Sequence, residues 1–274
     1  MRVVPYFFRL ATALSFAATA AAVAIAPASA QNTAAHQASA VACSAPADLV
    51  RLVNPLKRVA QRIAGGQPLT IVAIGSSSTA GAGASSPAMS YPSRLEVELK
   101  ALWPRADITV VNRGVNGEES RDMLARFDRD VISHHPDLVL WQVGSNSVLR
   151  DRPLQEANTS VRDGLKLLRE AGADVVLINP QYAPKVITKH DVDGMVDLIH
   201  LTAKETNVDL FERFAVMRYW RLTEDIPFST FISPDELHMN DWSYGCIAKL
   251  LAQAIQEAAT RTTVTATATA HGRQ

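Results

Sequence analysis

A single α/β domain of three layers, with a five-stranded parallel sheet between two helical layers, is the fold this sequence predicts. Two observations carry the prediction. Short runs rich in β-branched and aliphatic residues stand at Thr70–Ile74, Ile108–Asn112, Asp137–Val143, Asp174–Asn179 and Val208–Phe211, and near-continuous apolar runs of this length suit strands buried on both faces. Each run is followed by a segment of helical periodicity, and such alternation builds parallel sheets covered by helices. Composition agrees with a large core, since 47% of the 274 residues are hydrophobic. Lys plus Arg and Asp plus Glu balance at 27 each, which leaves no basic excess for a phosphate backbone, so nucleic acid is not an expected partner.

Taken in order, the chain opens with an address. Arg2 and Arg9 mark a basic start, an apolar run extends from about Leu10 to Ala26, and Ala28-Ser29-Ala30 is an A-x-A cleavage signal. Residues 1–30 are therefore a predicted signal peptide and residues 31–45 a small-residue leader. Export to the periplasm or medium is expected, with no lasting membrane anchor. An amphipathic helix is predicted over Pro46–Ala64, closed by Gly65-Gly66, and further helices over Tyr91–Trp103, Glu118–Ser133, Pro153–Ala171, Val192–Thr206 and Asp241–Ala259. The folded domain is thus residues 46–259, and Thr260–Gln274, with its Thr-Ala alternation, reads as a disordered tail. Phe214–Trp220 carries apolar residues at helical spacing, which points to core. Cys43 and Cys246 flank the domain; in an oxidising compartment they are expected to be bridged, the alternative being two buried thiols.

Working groups of an open parallel sheet gather at the carboxyl ends of its strands. There the first strand runs into Gly75-Ser76-Ser77-Ser78-Thr79-Ala80-Gly81, the second into Asn112-Arg113-Gly114-Val115-Asn116-Gly117 and the third into Gly144-Ser145-Asn146-Ser147, while Asp235-Glu236-Leu237-His238 precedes the last helix. Singly, each has a plain reading: a helix cap at Ser77, a positive-φ turn at Gly114, a loop amide at Asn146, a surface or capping histidine at His238. Jointly they place a serine, an imidazole, a carboxylate and amide donors at one rim. Competing chemistries fit less well. Thr79 occupies the second Gly position of a Gly-x-Ser-x-Gly elbow, Gly81 is not followed by Lys and Ser/Thr as in a P-loop, and Ser86 ends the dinucleotide pattern begun at Gly81-Ala82-Gly83. His134-His135 before Pro136 reads as a helix C-terminus rather than a metal site. No cofactor or metal is expected.

This constellation resembles the SGNH/GDSL hydrolase family, whose four blocks occur here in order from about Leu69 to Ile255. The resemblance implies a flavodoxin-like fold, a nucleophile at Ser77, a base at His238 oriented by Asp235, and an oxyanion hole from the N–H groups of Ser77 and Gly114 and the side chain of Asn146. Two positions depart from the family pattern: Ser76 and Ser147 each stand where an Asp is usual. The chemistry is sound on residue type alone, because a serine hydroxyl needs a base within hydrogen-bond reach and an imidazole titrating near neutrality supplies one. Gln181 and Tyr182, just after the fourth strand, are candidate substrate contacts or packing groups. The expected activity is a serine esterase acting on O-acyl, chiefly acetyl, esters of carbohydrate or envelope glycan. A lipase or lysophospholipase, an acyltransferase, and a non-catalytic glycan-binding module are the alternatives.

Overall fold

The computed structural model describes residues 41–271; the predicted signal peptide and residues 31–40 of the leader lie outside the described residues. Strands β1 (Leu69–Gly75), β2 (Ile108–Gly114), β3 (Leu138–Gln142), β4 (Asp174–Ile178) and β5 (Asp209–Phe211) form one sheet in the order β2-β1-β3-β4-β5. Every pairing is parallel. The central strands are the aliphatic runs of the sequence, and all five residues of β3 are buried. Each buried aliphatic side chain there contributes about 1.5–3 kcal/mol, and no solvent-facing polar side is left to alternate with them.

The helices used below are α1 (Lys57–Ala64), α2 (Ser77–Ala80), α3 (Tyr91–Leu102), α4 (Ser145–Leu149), α5 (Leu154–Glu170), α6 (Val192–Thr206), α7 (Arg213–Leu222) and α8 (Asp241–His271). In α7, Phe214, Val216, Met217 and Trp220 are buried, as the spacing predicts. Three predicted segments differ. The helix expected over Pro46–Ala64 is split into Ala47–Val50 and α1, because Pro55 has no N–H to donate and pushes Asn54 out of helical conformation. The helix expected over Glu118–Ser133 is broken into Ser120–Leu124, Phe127–Asp130 and a 3₁₀ turn at Ile132–His134. Arg126 holds the break by donating to Glu118, Asp130 and the carbonyl of Arg113, and His135 ends the turn in the left-handed conformation, φ 48°. The last helix does not stop at Ala259 but continues to His271, over residues for which a disordered tail was expected; lengthening a formed helix costs less than nucleating one, even through threonines of modest helix propensity.

The amino ends of the strands are fastened by carboxylates. Asp137, 1% exposed, accepts hydrogen bonds from Arg58 Nε (2.9 Å), Arg62 Nε (2.7 Å) and the Thr70 amide (3.0 Å), which pins α1 to the sheet. Asp174 accepts from the amides of Arg58 and Val59 at 2.8 and 3.0 Å, capping that helix. Cys43 and Cys246 are bonded, S–S 2.04 Å, so the first described residues are tied to α8. The order of strands reverses between β1 and β3, which opens a crevice at their carboxyl ends.

Candidate active site

In that crevice β1 ends at Gly75 and the chain turns at once into the short helix α2. Ser77, its first residue, keeps an amide that donates to no described atom, a consequence of standing in the first turn. The Ser77 Oγ lies 2.8 Å from His238 Nε2, and His238 Nδ1 lies 2.5 Å from Asp235 Oδ2. The other oxygen of Asp235 accepts from the amides of Leu237 (3.0 Å) and His238 (2.9 Å). Glu236, at φ 60°, is what lets four residues fold back so tightly. Partial burial raises the Asp235 carboxyl, but the His238 ring and those two amides outweigh it and hold it below its ordinary value. The loop is braced by the Ser233 amide on the His238 carbonyl at 2.8 Å and by a bridge between Ile232 and Met239. Gly83 completes the fit, since a Cβ there would stand 2.4 Å from the Met239 carbonyl and 2.9 Å from His238 Cβ.

The oxyanion candidates fare unequally. The Asn146 amide, in the first turn of α4, donates to the Glu118 carbonyl at 2.8 Å, which uses one of its two hydrogens and fixes its plane. Gly114 is not a free donor: its N–H goes to Asn112 Oδ1 at 2.9 Å, while Asn112 Nδ2 donates to the Thr79 carbonyl at 2.9 Å. Its glycine is required by packing, because a Cβ would lie 2.0 Å from the Ala80 nitrogen, so β2 and α2 touch backbone to backbone. That corrects both sequence readings of Gly114, oxyanion donor and positive-φ turn. The positive φ belongs to Gly117 (79°), whose carbonyl is held by Arg150 at 2.8 Å and whose N–H has no acceptor among the described residues. Asn112 and Gly117 were both inside the quoted block, but nothing in the sequence says which amide is occupied.

Of the two readings of Gln181 and Tyr182, substrate contacts or packing groups, the contacts favour packing. Gln181 is 2% exposed and accepts from Ser145 Oγ (2.9 Å) while donating to the Leu237 carbonyl (3.3 Å), which makes it framework rather than lining. The half-buried Tyr182 ring packs on Phe214 and Phe228, with centroids 5.1 and 5.9 Å away. At the position of the usual Asp, Ser76 gives both its amide and its hydroxyl to Gln142 Oε1, each at 2.9 Å. Among the described residues no group of three or more His, Cys, Asp or Glu side chains could hold a metal ion.

A parallel sheet with a serine, an imidazole and a carboxylate in line at its switch point is the arrangement expected of an SGNH/GDSL-type hydrolase. Residues 42–261 match the model of the Non-GDSL lipase-like family, and the chain belongs to it. Similarity extends to an arylesterase of Vibrio mimicus, 26% identical over 171 residues that make up 60% of this chain and 82% of that one. A shorter stretch of 56 residues, 20% of this chain and 26% of the relative, is 43% identical to an acetylxylan esterase of Geobacillus stearothermophilus. Among solved structures, a two-domain esterase active on acetylated mannans superposes with a TM-score of 0.64 at 22% identity over 77% of this chain, which spans only 56% of that protein. TesA superposes with a TM-score of 0.59 at 19% identity, covering 69% of this chain and 99% of TesA. The chain is a carboxylic ester hydrolase.

Proposed function

We propose that this protein is an exported serine esterase that removes short acyl groups, acetyl first, from carbohydrate or envelope glycan through an acyl-enzyme on Ser77. The observation that carries the reading is the unbroken relay from Asp235 through His238 to Ser77 Oγ, which a glycan-binding module would have no use for. In this reading His238 Nε2 takes the hydroxyl proton as Ser77 Oγ attacks the ester carbonyl. The C–O bond of the tetrahedral intermediate then breaks, and the departing alcohol receives that proton. Water, deprotonated by the same nitrogen, attacks the acyl-enzyme and releases the carboxylic acid together with Ser77. Asp235 stays ionised, keeps the imidazole in one tautomer and stabilises its cation.

Charge on the carbonyl oxygen is met by the Ser77 amide, the second hydrogen of Asn146 and, in place of Gly114, the amide of Gly117, one residue from the carbonyl that Asn146 grips. The acetylxylan and acetylated-mannan esterases among its relatives support carbohydrate esters as substrate. Export is supported by the signal-like first thirty residues and by the Cys43–Cys246 bond, which suits an oxidising compartment. Ser77→Ala is expected to abolish hydrolysis of p-nitrophenyl acetate without altering the circular dichroism spectrum, and full activity in that variant would reject the reading. Acetylated xylan and mannan, set beside an acyl-length series of nitrophenyl esters, test the substrate. A preference for long acyl chains would point to a lipase instead.

A further inference from the structure

We infer that Arg213 is a positioning residue of the esterase site, one whose buried guanidinium sets the direction of a ring of hydrogen bonds closing around Ser77 from beneath. The inference rests on Ser77 being the nucleophile. From Ser78, the residue after the nucleophile, the ring runs to Arg213 Nη1 (3.0 Å), from Arg213 Nη2 to Gln181 Oε1 (3.1 Å), and on to Ser145 Oγ (2.9 Å). Gln142 Nε2 donates to that hydroxyl at 3.4 Å, and Gln142 Oε1 accepts from Ser76, the residue before the nucleophile, at 2.9 Å. None of the six side chains belongs to a residue more than 3% exposed, and Arg213 is 0% exposed. The network therefore holds the chain on both sides of Ser77. It also holds the neighbours of the other two groups, since Ser145 precedes Asn146 and Gln181 Nε2 donates to the carbonyl of Leu237, which precedes His238.

Amides and hydroxyls can each be turned around, so a ring built of them alone has two senses. A guanidinium can only donate. With Arg213 in place, the oxygen of Gln181 must face it, which sends the Gln181 amide to Leu237. The Ser145 hydrogen must then point at Gln181, leaving its lone pairs to Gln142, whose oxygen is thereby turned to Ser76. Arg213 Nε donates in addition to the Asn179 carbonyl at 3.0 Å at the end of β4. The sense of these bonds decides how Ser76 and Ser78, and with them Ser77, are held.

The guanidinium also brings charge. Among the described residues no carboxylate pairs with it; the titratable groups that face it are Tyr91 and Tyr244. Burial pushes both phenols up, Tyr91 to about 12, so neither supplies negative charge at neutral pH. Burial pushes Arg213 itself down to about 10, and it remains protonated in the working range. A fixed cation in a poorly screened interior, behind the turn where anionic charge develops, favours the tetrahedral state over the neutral ester.

The test compares the native protein with Arg213→Met and Arg213→Lys, using a fluorophosphonate ester to count reactive serines so that kcat is expressed per competent site. With p-nitrophenyl acetate, Arg213→Met is expected to lower kcat per site by about 10- to 100-fold with KM changed by less than about twofold. Arg213→Lys is expected to recover activity near about pH 6–7 and to lose it as the pH rises, because a buried lysine gives up its proton where arginine does not. A native kcat per site in Arg213→Met, or an Arg213→Lys profile that matches Arg213→Met at every pH, overturns the inference. If Arg213→Met yields no folded protein, Gln181→Met cuts the same ring and is expected to show the same loss in kcat, a native value again overturning it. Native protein that neither reacts with the fluorophosphonate nor hydrolyses the ester, or a fully active Ser77→Ala, would instead reject the catalytic reading itself.

Discussion

In the proposed reaction the single amide of Asn146 has two tasks, one of them visible in the structure. One hydrogen is spent on the Glu118 carbonyl at 2.8 Å, so the second is aimed without further freedom, which is the condition for a donor that acts on the transition state rather than on the ester. Asn146→Ala is accordingly expected to lower kcat by about 100-fold or more and to leave KM nearly unchanged; steady-state kinetics on p-nitrophenyl acetate check this, and a change confined to KM would contradict it. The residue types of the relay were legible in the sequence because a serine at a strand end and an Asp-x-x-His pair before the last helix have few other reasons to occur together with the blocks between them. Gly114 shows where legibility stopped. Its residue type was readable, but its cause, the Ala80 nitrogen 2.0 Å from where a Cβ would stand, depends on an element 34 positions earlier in the chain. Gln181 was left open for the same reason: a glutamine after a strand reads as a lining group or a packing group until the interior it points into is known.

Among the elements, those with strong periodicity came out nearly as predicted, and those interrupted by a polar side chain turned inward did not. The helix Val192–Thr206 matches its predicted bounds, whereas the predicted Glu118–Ser133 helix yields to Arg126, 8% exposed, whose carboxylate partners hold the chain in separate turns. The junction of β4 with α1 supports a pH prediction. Burial pushes the Asp174 carboxyl up to about 6, against the amides of Val59 and Arg58 that draw it down, with Asp209 nearby adding to the rise. The folded value lies above the unfolded one, so the folded state binds the additional proton between about pH 4 and pH 6. Stability from this group is therefore greatest in acid and declines as the pH rises through that window, by at most about 3 kcal/mol. Asp174→Asn removes the titration while keeping a carbonyl acceptor. Its urea midpoint is expected to gain on that of the native protein as the pH rises from about 4 to 8, and a difference that is flat with pH would exclude Asp174 as the source.

For the whole molecule, the Cys43–Cys246 bond closes a loop of sequence separation 203, for which chain entropy gives up to about 5 kcal/mol of stabilisation. Reduction is expected to lower the melting temperature by as much as about 10–20 °C, measured calorimetrically with and without dithiothreitol; an unchanged melting point would mean that the bond constrains little. A cavity of about 600 Å³ lined by Asn54, Arg169, Asp174 and Asp209 among others opens at the amino ends of the strands, the opposite end from Ser77. The chain order of strands and helices, the parallel sheet and the residue types of the relay were all present in the linear pattern, because hydrophobic periodicity and reactive side chains are local properties. Folding in three dimensions settled which glycine amide stays open, which polar side chains turn inward and that Arg213 lies beside the turn that carries Ser77. Those outcomes hang on burial and on the sharing of donors and acceptors between segments more than a hundred residues apart, such as Ser78 and Arg213, and no local pattern encodes them.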